Sequence, residues 1–523
     1  MVWYDTVTKN YKGDVRMDLL IALLPALIMI ILVIVTRRVV LSLAVGSLLG
    51  AMIFTWQEAG APAPLDTLRY LWDAFYGIMT DFQWYMPILG FVVLIGGLTS
   101  VIAVIGGIRA FADWSVQRVK SPVAAKLLTW VLGLLIFIDD YFNALVIGEV
   151  SKPITDRYKI SRAKLAYVID STSAPVVILM PISTWGAYII GILGSEFDSA
   201  GYTETSAFGG LLGAVPYQFY PLTAIAMVLL TILYGINMGP MKTFESKASN
   251  DQDISVMASD DKVDVDEDAA EKANHFALIT PVIALVFFTI LFMFAAAEFS
   301  LGAVLDQDIT QPLFFAGVIA FVIALVFAFI TKAKADMVVR AGLKGMGEMI
   351  KSAVVILVLA WIVSGAISDL EVGTMIGEYV EAWNMSAAVM PLIMFFIAGG
   401  VAFSTGTSWG AFALLLPIAV PVAMASDPAM MSAIIASVLG GAVFGDHASP
   451  VSDTTVLSST GARSSVHAHF VSQLPYALST AAFAGAGYGV YALSESLLLS
   501  YAIIIVLLVG FVYFRKGLNK QTD

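Results

Sequence analysis

Two groups of acidic and hydroxyl residues interrupt apolar, membrane-length sequence: Phe137-Ile-Asp-Asp-Tyr-Phe-Asn143 and Phe444-Gly-Asp-His-Ala-Ser-Pro-Val-Ser-Asp453. Charged side chains at bilayer depth are costly and mark ion or substrate paths. Asp139 and Asp140 are adjacent like charges, which make poor glue between helices, so they read as functional, and Asp446 and Asp453 read the same way. Oxygen donors accompany them: Asn143, Ser171, Thr172, Ser173, Ser404, Thr405, Thr407, Ser408, Ser449, Ser452 and Thr454. A hard cation takes oxygen ligands, and breaks in membrane helices add freed carbonyls and oriented dipoles. Sodium is therefore expected at Asp140, Asp446 and the neighbouring hydroxyls. A carboxylate in such a cage also takes a proton, because burial favours its neutral form and a bound cation its ionised form. Asp170 is either part of this set or a cap for Ser171 to Ser173. His447 is either a titrating partner of Asp446 or a hydrogen-bonded packing residue.

The elements that must position these groups are membrane helices. Of 523 residues, 59% are hydrophobic and 13% charged, against a charged fraction of about 25% in soluble domains. The chain is expected to be an all-α polytopic membrane protein that needs no cofactor beyond the sodium and protons it moves, and no nucleic-acid partner. Cysteine is absent, which excludes disulfides and thiolate chemistry. Windows of about 20 residues give eleven spans: 18–36, 39–56, 83–105, 165–192, 208–238, 276–297, 312–331, 352–369, 432–460, 470–493 and 497–514.

Two more apolar stretches read as re-entrant hairpins. The first, 127–150, has Arg118, Lys120 and Lys126 before it and Lys152, Arg157 and Lys159 after it, so both flanks belong inside. The second, 388–424, is flanked by Asp369, Glu371, Glu378, Glu381 and Asp427, and should dip from outside. The resulting organisation is an N-terminal segment (1–17), a first membrane repeat (18–240) with a broken helix at 165–192, and an acidic cytoplasmic linker (241–275). A second, inverted repeat (276–493) follows, with a broken helix at 432–460, then a final helix and tail (494–523). Much of the net charge of −12 falls between Glu245 and Glu271, which reads as a disordered tether. The basic residues place the C-terminus in the cytoplasm and the N-terminus outside, although Lys9, Lys12 and Arg16 argue against the latter.

Five spans per half make the halves inverted, a recurring secondary-transporter design with interrupted helices at the midplane. Pro175 and Pro450 interrupt 165–192 and 432–460. A two-aspartate intramembrane hydrolase would have no use for inverted halves and hydroxyl clusters, so the chain reads as a transporter and not an enzyme.

The run from Phe444 through Asp453 to Gly461 resembles the signature of the NhaC family of sodium/proton antiporters, and Phe137 to Asn143 with Ala163 to Thr172 resembles its first-half counterpart. The resemblance extends from about Gly90 to Ala484, with Ala448 where many relatives carry Cys. It implies a bacterial inner-membrane secondary transporter with scaffold helices and a hairpin-bearing transport unit, of a design that often dimerises. Sodium/proton exchange by alternating access is the expected activity. The alternative it leaves open is sodium- or proton-coupled transport of amino acids or small organic acids, of the malate/lactate type. No intramembrane Lys or Arg stands ready for an organic anion, which favours cation exchange.

Overall fold

The computed structural model describes residues 21–22, 24–32, 35–36, 38–116, 119–256, 267–299, 309–370 and 386–520. The expectations for the N-terminal segment 1–17, for Lys9, Lys12 and Arg16, and for Glu371, Glu378 and Glu381 lie outside these residues. The described elements are almost entirely helical: α1 (Val39–Ala59), α2 (Tyr85–Val104), α3 (Pro122–Leu135), α4 (Asp140–Arg157), α5 (Arg162–Asp170), α6 (Thr184–Ala200), α7 (Ala207–Ala214), α8 (Phe219–Leu233) and α9 (Pro240–Ser249). After the linker come α10 (Phe276–Ala296), α11 (Thr310–Ile330), α12 (Ala335–Met349), α13 (Val355–Asp369), α14 (Met390–Thr405), α15 (Ser408–Ser426), α16 (Met431–His447), α17 (Asp453–Ala462), α18 (Val466–Ser494) and α19 (Leu497–Lys520). Among the described residues, eight helices are long and apolar enough to cross a membrane. A ninth span forms if α7 and α8 are taken together across their 50° bend.

The breaks have local causes. Proline lacks an N–H and its ring clashes with the carbonyl four residues earlier. Pro175 thus ends α5 at Asp170, and Pro450 ends α16 at His447. Pro216 and Pro221 flank Gln218, where the stretch expected as one span over 208–238 bends. α6 begins at Thr184 and continues to Ala200, so the span expected to end at 192 stays helical as far as 200.

Apolar helices gain little by associating in lipid, so close backbone approach at small residues supplies the contact. Gly96 of α2 and Gly345 of α12 lie against each other's carbonyls, and a Cβ on Gly345 would sit 2.1 Å from Gly96 O. Gly441 and Gly445 of α16 lie in the same way against Phe395 and Gly399 of α14.

The acidic linker departs from the expected tether over its first part. The leading N–H groups of a helix have no intrahelical acceptor, and the linker supplies acceptors to α5. Glu245 Oε1 accepts from Ser161 N (2.8 Å) and Ser161 Oγ (2.7 Å), Asp253 Oδ2 from Arg162 N (2.8 Å), and Ser255 Oγ from Ala163 N (3.1 Å). Ser255 O also accepts from Ser465 N at 2.7 Å, which ties the linker to the start of α18. Acidic side chains there serve as helix caps rather than as solvated charge. Replacing Glu245 and Asp253 together by Ala should cost about 1–2 kcal/mol per lost cap and lower Tm in detergent. An unchanged Tm would show that the linker contributes nothing to the docking of α5.

Lys164, one residue before the span expected at 165–192, is buried at 1% exposure. Its Nζ lies 5.1 Å from the Tyr167 ring centroid and 5.4 Å from that of Tyr476. Its long apolar stem and these two ring faces allow the burial.

Candidate ion-binding site

α3 and α4 meet at a four-residue turn, 136–139, and this turn is fastened to the start of α6. Asp139 caps α4 by accepting from Phe142 N at 2.9 Å, and its other oxygen accepts from Thr184 Oγ1 at 2.9 Å. Thr184 N donates to Ile138 O at 2.8 Å. Asp140, the first residue of α4, accepts from Trp185 Nε1 at 2.9 Å through Oδ1. Its Oδ2 is buried and has no hydrogen-bond partner. One turn on, Asn143 donates through Nδ2 to Ile136 O (2.6 Å) and Gly133 O (3.0 Å), which satisfies carbonyls at the end of α3. Asn143 Oδ1, like Asp140 Oδ2, is buried without a donor. Residues three apart share a helix face. Ser173 in the α5 break closes this side by donating to Asp140 O at 2.7 Å.

The second tip joins α14 to α15 through Gly406 and Thr407. Gly406 has φ +72, and a Cβ there would lie 2.4 Å from Val451 O, so conformation and space both require glycine. Asp446 is held by hydroxyls: Ser408 Oγ donates to Oδ2 at 2.7 Å and Ser452 Oγ to Oδ1 at 2.5 Å. Ser452 Oγ lies 2.9 Å from Thr454 Oγ1. A hydroxyl that donates to a carboxylate keeps its lone pairs for a cation. Asp453 joins the first tip to this one, because Tyr141 OH donates to its Oδ2 at 2.5 Å. Asp139, Asp453 and Asp446 all act electrostatically on Asp140.

Other expected hydroxyl ligands donate their protons to backbone carbonyls. The Ser404 hydroxyl donates to Val401 O on its own helix, and Thr405 Oγ1 to Ala402 O. Thr172 donates back to Val168 O at 2.7 Å. Ser449 donates to Phe403 O and braces the second tip.

Asp170 is not a cap for Ser171 to Ser173. It accepts from Gln473 Nε2 (2.5 Å), Ser458 Oγ (3.1 Å) and His469 Nε2 (3.2 Å), a separate knot between α5, α17 and α18. His447 belongs to that knot and not to Asp446. Its Nε2 lies 2.8 Å from Ser171 Oγ and 4.0 Å from Asp170 Oδ2, and its Nδ1 lies 2.7 Å from Tyr220 OH.

A cavity of about 880 Å³ opens beside the two tips. Asp139, Tyr141, Thr405, Thr407, Ser452 and Asp453 line one side. Ser100, Glu348 and Lys351 line another. Lys351 is an exposed cation on the cavity wall, one residue before the span expected at 352–369. It lies on a π-turn, Ile350–Val354, that joins α12 to α13, and such turns recur at functional sites.

Sequence reasoning passed over Tyr141, Thr184, Tyr220, His469 and Gln473 as site residues. His469 and Gln473 are four apart on α18, which puts two polar groups on one face of an otherwise apolar helix. That spacing was the available signal.

Interrupted helices and two helix-joining tips that converge on buried carboxylates, inside an all-α membrane fold, define a secondary transporter. Residues 176–493 match the Na+/H+ antiporter family. The chain belongs to that family. It is 34% identical over 511 residues to an uncharacterized protein of Haemophilus influenzae, covering 95% of each chain. Over 136 residues it is 29% identical to an uncharacterized Na+/H+ antiporter of the same organism, which is 24% of this chain and 29% of that one. In fold it is similar to the Alcanivorax borkumensis YdaH transporter, with a TM-score of 0.56 and 16% identity over 82% of this chain and 89% of that chain.

Proposed function

We propose that the protein exchanges sodium for protons by alternating access, with the cation seated at Asp140 and Asn143. One observation carries this reading: Asp140 Oδ2 and Asn143 Oδ1 are buried acceptor oxygens without a donor, one turn apart on α4. Buried polar atoms are otherwise nearly always paired, and a carboxylate and an amide oxygen on one helix face suit a hard cation. Ser173 and the hydroxyl-held Asp446 extend the oxygen-rich surroundings. A proton on Asp140 removes the charge that attracts sodium, so the two loads exclude each other. The test is proteoliposome flux: an imposed sodium gradient should drive proton movement in the opposite direction. Sodium that neither binds the purified protein nor moves protons would end the reading.

A second reading, coupling to a small organic solute, has its own support. The cavity volume falls in the range of roughly 300–1,000 Å³ typical of small-molecule sites, far beyond what a bare ion needs. Lys351 offers a positive charge on its wall, and Asp139 and Asp453 offer negative ones. Replacing Lys351 by Ala should leave sodium-driven proton flux intact and remove any stimulation by amino or dicarboxylic acids. If no such solute alters flux in the wild type, this reading falls while the first stands.

A further inference from the structure

Glu196 is a carboxyl group that the exchange site does not use. It lies on α6, twelve residues beyond Thr184, or roughly 18 Å at 1.5 Å per residue. Its exposure is 2%, and its Oε1 has no hydrogen-bond partner. Ser364 of α13 is set beside it, and the Ser364 hydroxyl is likewise buried, with Glu196 as a polar neighbour and no well-formed hydrogen bond to any group. α6 packs chiefly against α2, α7, α13, α15 and the short helix Ala174–Val177. α7, α15 and the short helix carry no titratable residue. α2 brings Tyr85, which feels the Glu196 charge, α13 brings Asp369 at its end, and α6 itself carries Tyr188 and Asp198. No Lys, Arg or His lies on any of these elements.

An ionised carboxylate buried without a cation costs several kcal/mol. A carboxyl carrying its proton can remain, with its O–H turned toward the free lone pairs of Ser364. The position also matters. α6 holds Asp139 through Thr184 and Asp140 through Trp185 at one end, and Glu196 near the other. Between them, Trp361 Nε1 of α13 donates to Gly191 O at 2.9 Å. A shift of α6 against α13 that opens or closes the carboxylate centre would therefore also wet or bury Glu196.

We propose that Glu196, with Ser364, is a second proton-binding site of this transporter, loaded and unloaded as α6 moves against α13. The inference rests on the proton-coupled exchange proposed above. In proteoliposomes, Glu196→Gln should keep sodium–sodium counterflow, measured with radiolabelled sodium, while fewer protons move per sodium than in the wild type, because only those exchanged at Asp140 remain. Glu196→Asp should restore the wild-type ratio. Proton flux and pH profile unchanged in Glu196→Gln would overturn the proposal. Should that variant not fold, infrared difference spectroscopy on the wild type decides instead. A protonated-carboxyl carbonyl band that shifts in Ser364→Ala supports the site, and an identical spectrum in that variant overturns it. Failure of the exchange reading looks different: wild-type protein would show no sodium counterflow, while the infrared band would remain.

Discussion

Asp140→Asn is expected to abolish sodium-driven proton movement. The substitution keeps the size of the side chain, and its amide oxygen can still accept from Trp185 Nε1, the bond that fixes the wild-type rotamer. What changes is the other atom. The unpartnered carboxylate oxygen becomes an NH2 group, so a donor replaces an acceptor and a unit of negative charge disappears. At about 4 Å and an effective dielectric near 20, that charge is worth about 4 kcal/mol to a monovalent cation, roughly a thousandfold in affinity. Sodium binding by calorimetry should vanish in the accessible concentration range, and pH-gradient dissipation by sodium in everted vesicles should vanish with it. The melting temperature should stay near wild type, because no packing is lost. Normal exchange in this variant would remove Asp140 from the mechanism.

Gly148→Val is the substitution expected to damage the fold most. Gly148 of α4 faces Gly461 of α17, and a Cβ at Gly148 would lie 2.3 Å from both Gly461 C and Gly461 O. The obstruction is backbone, which cannot swing aside as a flexible side chain does. A Cβ at Gly461 would in turn lie 2.5 Å from Ala144 O. The helices must separate, and separation pulls on the Tyr141 bond to Asp453, which joins their first turns. Overpacking costs are typically 1–3 kcal/mol and occasionally more, and a rigid helix crossing belongs at the upper end, about 3 kcal/mol. Tm in detergent should fall clearly, and transport should be lost even in the folded fraction. A variant with normal Tm and normal flux would mean that α4 and α17 do not hold this contact.

The first of these results concerns a residue visible in the sequence, and the second a contact that was not. Asp139, Asp140, Asp446 and Asp453 stand out because a charge inside apolar sequence is conspicuous whatever surrounds it. The interruptions at Pro175 and Pro450 were legible for the same reason, since proline acts on the carbonyl four residues before it. Partners are another matter. Tyr141 and Asp453 are 312 residues apart, and Asp170 and His469 are 299 apart. Nothing local says that His447 faces Asp170 and Tyr220 rather than its neighbour Asp446. Its direction follows from how α16 rotates against α5 and α8.

The sequence alone determined that this chain lies in a membrane, that its helices break near carboxylates, and that oxygen-bearing side chains cluster at those breaks. Hydropathy, proline geometry and the cost of buried charge all act within a few residues, so they leave their mark in the linear order. Only the tertiary structure decided which carboxylates share a centre and which, like Asp170, are already satisfied by His469 and Gln473. It also turned the acidic linker into a cap for α5, brought Lys351 to the cavity and buried Glu196. Those outcomes depend on which helix faces meet, and helix faces in lipid are matched by small-residue contact and polar pairing between segments far apart in the chain.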